Sequence, residues 1–266
     1  MFFQQLSKWS VVGAIALLSP FTIKPAWANE PTNAPESLTQ FLSELETAAN
    51  DQNLEAVSDA YSDNFSTSEG LNGQKLAQKL EQLWETYSRV NYRVELKNWE
   101  QDGDEIIAET VTQIRGVRQS RGETAVLEAQ LRSRQRINND QITTQKTLSE
   151  RSQLFIGDNA PQVKVNAPNE VAVGEKFNFD VIVREPVGND ILMGTALEEK
   201  VTANNYLTPQ NLDLDVLPAG GIYRTGEVSS NPGQRWLSAI IVRGDGMTLV
   251  SQRLNIVAET SSLSNF

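Results

Sequence analysis

Apolar residues recur at helical spacing up to about residue 88, and beyond it they alternate with polar ones. Leu38, Phe41, Leu42, Leu45 and Ala49 fall on one stripe, the repeat of a helix with one buried side. Ser37 and Gln40 at its start predict a capping box, in which each side chain satisfies the other's free main-chain N–H. Asn50-Asp51-Gln52-Asn53 breaks the helix. Leu54, Val57 and Tyr61 predict a second, shorter helix, and residues 64–67 a brief extended piece around Phe65. Leu76, Leu80, Leu83, Trp84 and Tyr87 predict a third helix, introduced by Gly70 and by Asn72-Gly73.

The period then changes to two. Val90, Tyr92, Val94 and Leu96 alternate with Asn91, Arg93, Glu95 and Lys97, the pattern of a half-buried strand. Gln101-Asp102-Gly103-Asp104 predicts a turn into a strand led by Ile106, Ala108, Thr110, Thr112 and Ile114. A third strand runs from about Glu123 to Ile137 with Leu127, Ala129 and Leu131 on one face, and Asn138-Asn139-Asp140 turns it into a last strand, 141–154. Three helices followed by a four-stranded antiparallel meander make an α+β layout.

Gly157-Asp158-Asn159-Ala160-Pro161 reads as a linker, and after it only strand patterns remain. Apolar positions at Val163 and Val165, Phe177 to Val183, Leu212 to Val216, Trp236 to Val242, and Val250 to Ile256 are separated by turn residues such as Pro168-Asn169, Gly188-Asn189-Asp190, Gly220-Gly221 and Gly244-Asp245-Gly246. About seven short strands in about a hundred residues is the profile of a β-sandwich. Tyr223 and Trp236 are expected in its core or corners.

The first half, with Leu54-Glu55-Ala56-Val57, Tyr61-Ser62-Asp63-Asn64-Phe65 and the strand-turn-strand around Asp102-Gly103-Asp104, resembles the nuclear transport factor 2-like superfamily. The resemblance implies an α+β cone, three helices on a curved antiparallel sheet enclosing a pocket. The second half resembles an all-β immunoglobulin-like sandwich without its inter-sheet disulfide. The acidic chain and its closing run Trp236-Leu237-Ser238-Ala239-Ile240-Ile241-Val242-Arg243 are similar to uncharacterised exported proteins of cyanobacteria.

At the start, Lys8, the apolar run from Val11 to Leu18 and the small-residue site Ala26-Trp27-Ala28 predict a secretory signal peptide cut after Ala28. Ser19, Pro20 and Lys24 interrupt the run too early for a membrane helix, which needs about 20 apolar residues. The expected organisation is signal peptide 1–28, disordered leader 29–36, cone domain 37–156, linker 157–161, sandwich 162–258 and tail 259–266. No later stretch predicts a membrane span, and the expected destination is the periplasm or, on the cyanobacterial resemblance, the thylakoid lumen.

Composition then narrows the chemistry. The full chain has 23 Lys+Arg against 34 Asp+Glu, and cleavage after Ala28 removes two lysines and no acid. Such a surface repels nucleic acid, whose binding rests on cations that neutralise phosphate. There is no His and no Cys. That removes His-dependent nucleophilic triads, imidazole acid/base work and the usual zinc ligand sets.

Enzymes of the resembled superfamily place an Asp or His base inside the cone. The inward series Val90, Tyr92, Val94, Leu96, Ile106, Ala108, Thr110, Thr112, Leu127, Ala129 and Leu131 holds no carboxylate or lysine, which argues against catalysis and implies no cofactor. Tyr61, Phe65, Trp84, Tyr87 and Tyr92 are the candidate lining of a pocket for a small apolar ligand. Space-filling between helices and sheet is the alternative for the same residues.

Arg132, Arg134 and Arg136 are opposite in phase to Leu127, Ala129 and Leu131 and should leave the sheet on its outer face, with Arg115, Arg118 and Arg121 nearby. Residues 29–109 carry 17 acids and 5 bases, whereas 110–158 carry 5 acids and 8 bases. The outer face, with Arg115, Arg132, Arg134 and Arg136, is the candidate surface for a protein partner or for self-association. Local pairing with Glu109, Glu123 or Glu128 is the alternative. Asp102, Asp104 and Glu105, or Asp213 and Asp215, lack the spacing of a calcium loop, so no metal site is expected. The chain reads as a non-catalytic, extracytoplasmic binding or scaffold protein, with a small-ligand binder or an isomerase- or hydratase-like enzyme as the alternative.

Overall fold

The computed structural model describes residue 31 and residues 33–258 except Arg121, Asn189, 203–212, Pro218, Ala219, Ser229, Ser230 and Asp245. The expected signal peptide and tail lie outside the described residues, as do Arg121 and Leu212. Two compact units divide the chain between Glu150 and Arg151.

The first unit opens with helices α1 (Glu36–Asn50) and α2 (Leu54–Asp59), strand β1 (Tyr61–Thr67) and helix α3 (Gly73–Thr86). The long strands β2 (Arg89–Asp102), β3 (Glu105–Ser120), β4 (Glu123–Asn138) and β5 (Gln141–Ile156) follow, β5 counting here as far as Glu150. Sheet thus outweighs helix in this unit. The expected capping box does not form: α1 starts two residues earlier, at Glu36, with Pro35 in place of Ser37 as its N-cap and no side-chain cap, so Ser37 sits inside the first turn. Tyr61, expected on the second helix, begins β1 instead. Asn53 and Asn72 do cap α2 and α3, each accepting from a main-chain N–H three residues on.

Strands β2 to β5 form the antiparallel meander, and β1 adds parallel to β5. Both charged turns work as read. Asp102 pairs with Glu105 across Gly103-Asp104. Asn139 and Asp140 both take positive φ, 48° and 56°, as a two-residue turn that matches strand twist requires. A register shift between Leu96 and Asn98 moves Trp99 into line with Ala108 and carries β2 past the end that simple alternation suggests. Leu38, Phe41 and Leu42 of α1 pack with Phe65, Leu96, Ala108, Ile137 and Ile142, which defines the helix-covered face of the sheet. By register, Thr110, Thr112, Ser133 and Gln135 share that face.

The second unit runs from Arg151 and contains β6 (Val163–Asn166), β7 (Glu170–Ala172), β8 (Lys176–Val183), β9 (Leu192–Lys200), β10 (Asp215–Val216), β11 (Gly221–Glu227), β12 (Gly233–Arg243) and β13 (Gly246–Val257). One sheet has the order β10-β9-β12-β13, with residues 151–156 of β5 antiparallel and β7 parallel to β13. The other is β11-β8-β6. Their facing sides share a core that includes Phe177, Phe179, Val181, Leu237, Ile241 and Leu254. The stretch read as a linker is tied down at its end, where the buried Thr248 hydroxyl donates to the Pro161 carbonyl at 2.6 Å. Tyr223, expected in core or corner packing, is 53% exposed because it lies on the solvent side of β11. Among the described residues no helix is long and apolar enough to cross a membrane.

Candidate functional site

The five aromatic candidates of the first unit come together in two pairs and one outlier. Tyr61 meets Phe65 edge-on, with ring centroids 4.6 Å apart. The Trp84 indole N–H donates to the Tyr92 hydroxyl at 2.9 Å, and Tyr61 lies within electrostatic reach of Tyr92. Tyr87, at the end of α3, packs instead against Gly116 and Leu127. Phe65, Tyr87 and Tyr92 are buried. Burial in low dielectric disfavours phenolate, so Tyr61 and Tyr87 are pushed up to about 12 and Tyr92 is raised as well, despite the hydrogen bond from Trp84. All three remain protonated.

Of the five, Tyr61 lines a cleft. The cleft, of about 350 Å³, lies between α2, β1 and the first half of α3. Val57, Leu76, Ala77 and Leu80 supply its apolar wall, and Ser58, Ser62, Asp63, Asn72 and Gln74 its polar one. Although its sequence is strongly striped, α3 has no fully buried residue, and the cleft is where that incomplete cover shows. The stripe made Leu76 and Leu80 legible. The contribution of α2 and β1 depends on the helix ending at Asp59, two residues earlier than the Leu54-Val57-Tyr61 spacing suggests.

A lysine and a carboxylate approach each other under α3, which the three-strand inward series does not contain. Burial pushes Lys79 down to about 8, and the charge of Glu150 in β5 pulls it partly back. Glu150 is 4% exposed. A neutral polar row also runs across the sheet, in which Thr110 donates to Gln135 and Gln135 to Gln145, at 3.4 and 2.9 Å. Its members spend their hydrogen bonds on one another.

On the opposite face the arginines emerge as their phase requires. Arg132 is bound through its guanidinium to Glu109, a carboxylate 8% exposed. Arg136 holds Asp102 at 3.0 Å and Glu105 at 2.6 Å, which raises its pKa, Glu105 contributing most. Asp102 and Glu105, weighed above as cation ligands, are therefore committed to an arginine. The pair of Arg134 with Glu109 is long, 3.8 Å, and its side chain is 55% exposed. Arg115 stands apart beside Glu128. Its Nε and Nη2 are buried without a hydrogen-bond partner, and Glu128 is raised by burial against the opposing pull of Arg115.

Arg134 and Arg136 line a groove of about 620 Å³ on this face, with Lys146, Thr144 and Gln145 of β5, Ser66 and Thr67 at the end of β1, Ser68 just after it, and Glu100 and Asp102 of β2. Lys146 makes no ion pair or side-chain hydrogen bond among the described residues. Among those residues no group of three or more carboxylates could hold a metal ion.

A family described as a domain of unknown function, DUF8623, matches residues 158–257. A comparison with curated proteins found no match. Solved structures overlap with part of the chain. A protein of Bdellovibrio bacteriovorus, Bd1075, is 15% identical over 41% of this chain and 39% of its own length, with a TM-score of 0.31. An LEH-like epoxide hydrolase of M. tuberculosis is 12% identical over 42% of this chain and 80% of that one, with a TM-score of 0.29. A hypothetical protein with a ketosteroid isomerase-like fold from Catenulispora acidiphila is 14% identical over 43% and 85%, with a TM-score of 0.30. The neighbours are thus nuclear transport factor 2-like and ketosteroid isomerase-like folds at low identity and partial coverage.

Proposed function

We propose that this chain is a non-catalytic, extracytoplasmic binding or scaffold protein that contacts envelope or lumenal partners through the arginine-bearing sheet face of its first unit. The groove on that face carries the reading. It is open, and of its cations Arg134 has no described carboxylate nearer than Glu109 at 3.8 Å and Lys146 makes no ion pair among the described residues. Exposed ion pairs contribute little to stability, so cations held loosely in a groove are available to set the register and partner choice of a docking surface.

Export to the periplasm or thylakoid lumen follows from the signal-like pattern at residues 8–28. The second unit reads as an immunoglobulin-like sandwich, a module widely used for contacts. Its pairing supports that reading: β6, β8 and β11 correspond to strands A, B and E of that topology, and β9, β12 and β13 to C, F and G.

The test is affinity isolation of the tagged protein from fractionated cells, beside sedimentation of the purified protein, for wild type and for the Arg134→Glu/Lys146→Glu variant. Arg132 is left intact because Glu109 depends on it. A partner or a self-associated state that is lost in the variant, while its unfolding midpoint is kept, supports docking through the groove. The same partners and the same oligomeric state in both proteins overturn it.

A further inference from the structure

The cleft beside α3 plays no part in sheet-face docking and has a chemistry of its own. Its volume, about 350 Å³, equals the share of roughly a dozen waters in the liquid and falls within the range of small-ligand sites. One wall is apolar, made by Val57, Leu76, Ala77 and Leu80.

The other wall holds unspent polar capacity. The side chains of Ser58, Tyr61, Ser62, Asp63 and Gln74 make no hydrogen bond or ion pair with any described residue. Tyr61, Ser62 and Asp63 all reach the cleft from the start of β1, where the pairing with β5 shifts register between Tyr61 and Ser66. Sign of charge then selects the ligand. Asp63 is the one ionised side chain of the lining, and no lysine or arginine joins it. Burial keeps the Tyr61 phenol neutral. The helices around the cleft lie in the acidic stretch, with 17 acids against 5 bases over residues 29–109, and such a field attracts cations.

We propose that this cleft binds a small organic amine, its ammonium on the Asp63 carboxylate and its apolar body against Leu76 and Leu80. The Ser58, Ser62 and Gln74 side-chain oxygens accept the remaining N–H donors. An anion would meet a carboxylate and no cation. A neutral ligand would leave Asp63 unused.

Titration of the ¹⁵N-labelled protein with benzylamine, benzyl alcohol and benzoate tests this with one body and three head charges. Benzylamine should shift the amides of residues 57–63 and 72–80 saturably. Benzyl alcohol should bind there about fivefold more weakly, the scale of one partly solvated charge contact, and benzoate should leave those amides unmoved. Asp63→Asn, an exposed position whose folding the same spectra report, should equalise amine and alcohol. Leu76→Trp should fill the cleft and abolish both. Absence of saturable shifts with benzylamine, equal binding of alcohol and amine by the wild type, binding of benzoate, or a preference that survives Asp63→Asn each overturns the proposal.

Discussion

Asn50 completes both main-chain groups of Tyr92: the Tyr92 N–H donates to Asn50 Oδ1 at 2.8 Å, and Asn50 Nδ2 donates to the Tyr92 carbonyl at 2.9 Å. Four residues earlier on α1, Glu46 accepts from the Val94 N–H at 2.6 Å. β2 ends the meander, and an unpaired strand edge invites association with other chains. The last two turns of α1 stand in for the missing neighbour. Asn50→Ala should therefore cost about 1–3 kcal/mol, the penalty of partly buried polar groups left unmade, in urea unfolding followed by tryptophan fluorescence. Asn50→Asp, which keeps the acceptor and loses the donor, should fall between wild type and alanine.

No pattern in the sequence announces that relationship, because Asn50 reads simply as the helix breaker it also is. The alternation in β2 to β5 was legible since each strand buries one face, and the same phase placed Arg132, Arg134 and Arg136 on the other. β9 and β11 were not legible. Leu192–Lys200 is rich in helix formers and is extended only because β12 pairs with all nine of its residues. Of the site, Tyr61 and the α3 stripe could be read. The Lys79 and Glu150 pair could not, since it joins a helix to a strand 71 positions away in sequence.

Lys79 gives the stability a pH dependence with a definite sign. Folded, it loses its proton near pH 8, whereas its unpaired value is 10.5. Between these the unfolded chain binds more protons, so stability rises with pH. Tyr61 and Tyr87 act oppositely, for their folded values of about 12 exceed the ordinary 10.0. Above about pH 10 the folded chain holds protons that the unfolded chain has lost, and stability falls. The urea midpoint should climb from pH 8 to 10 and then decline. Lys79→Met should abolish the climb and keep the decline.

Arg132 is the nearer of two strand arginines, with Arg134, that pair with the buried Glu109. Removing the arginine leaves a carboxylate with little solvent and only the 3.8 Å approach of Arg134. Arg132→Ala should cost about 1–3 kcal/mol. Adding Glu109→Gln should return part of that loss, because the group left behind is no longer charged. A double-mutant cycle by chemical denaturation reads the coupling directly; additive effects would mean that solvent already screens the pair.

Gly226 and Phe177 face each other across β11 and β8 in the sandwich core. A Cβ on Gly226 would lie 2.4 Å from the Phe177 ring, far inside contact distance, and Phe177 is itself buried. The ring cannot swing away without giving up its packing, and overpacking of this kind costs about 1–3 kcal/mol. Gly226→Ala should therefore lower the unfolding midpoint of the second unit. Gly226→Ala combined with Phe177→Leu, which removes part of the ring volume, should lose less than the sum of the two single changes. Strict additivity would show that the backbone of β11 shifts to accept the methyl group and that the ring over the glycine is not what fixes this strand pair.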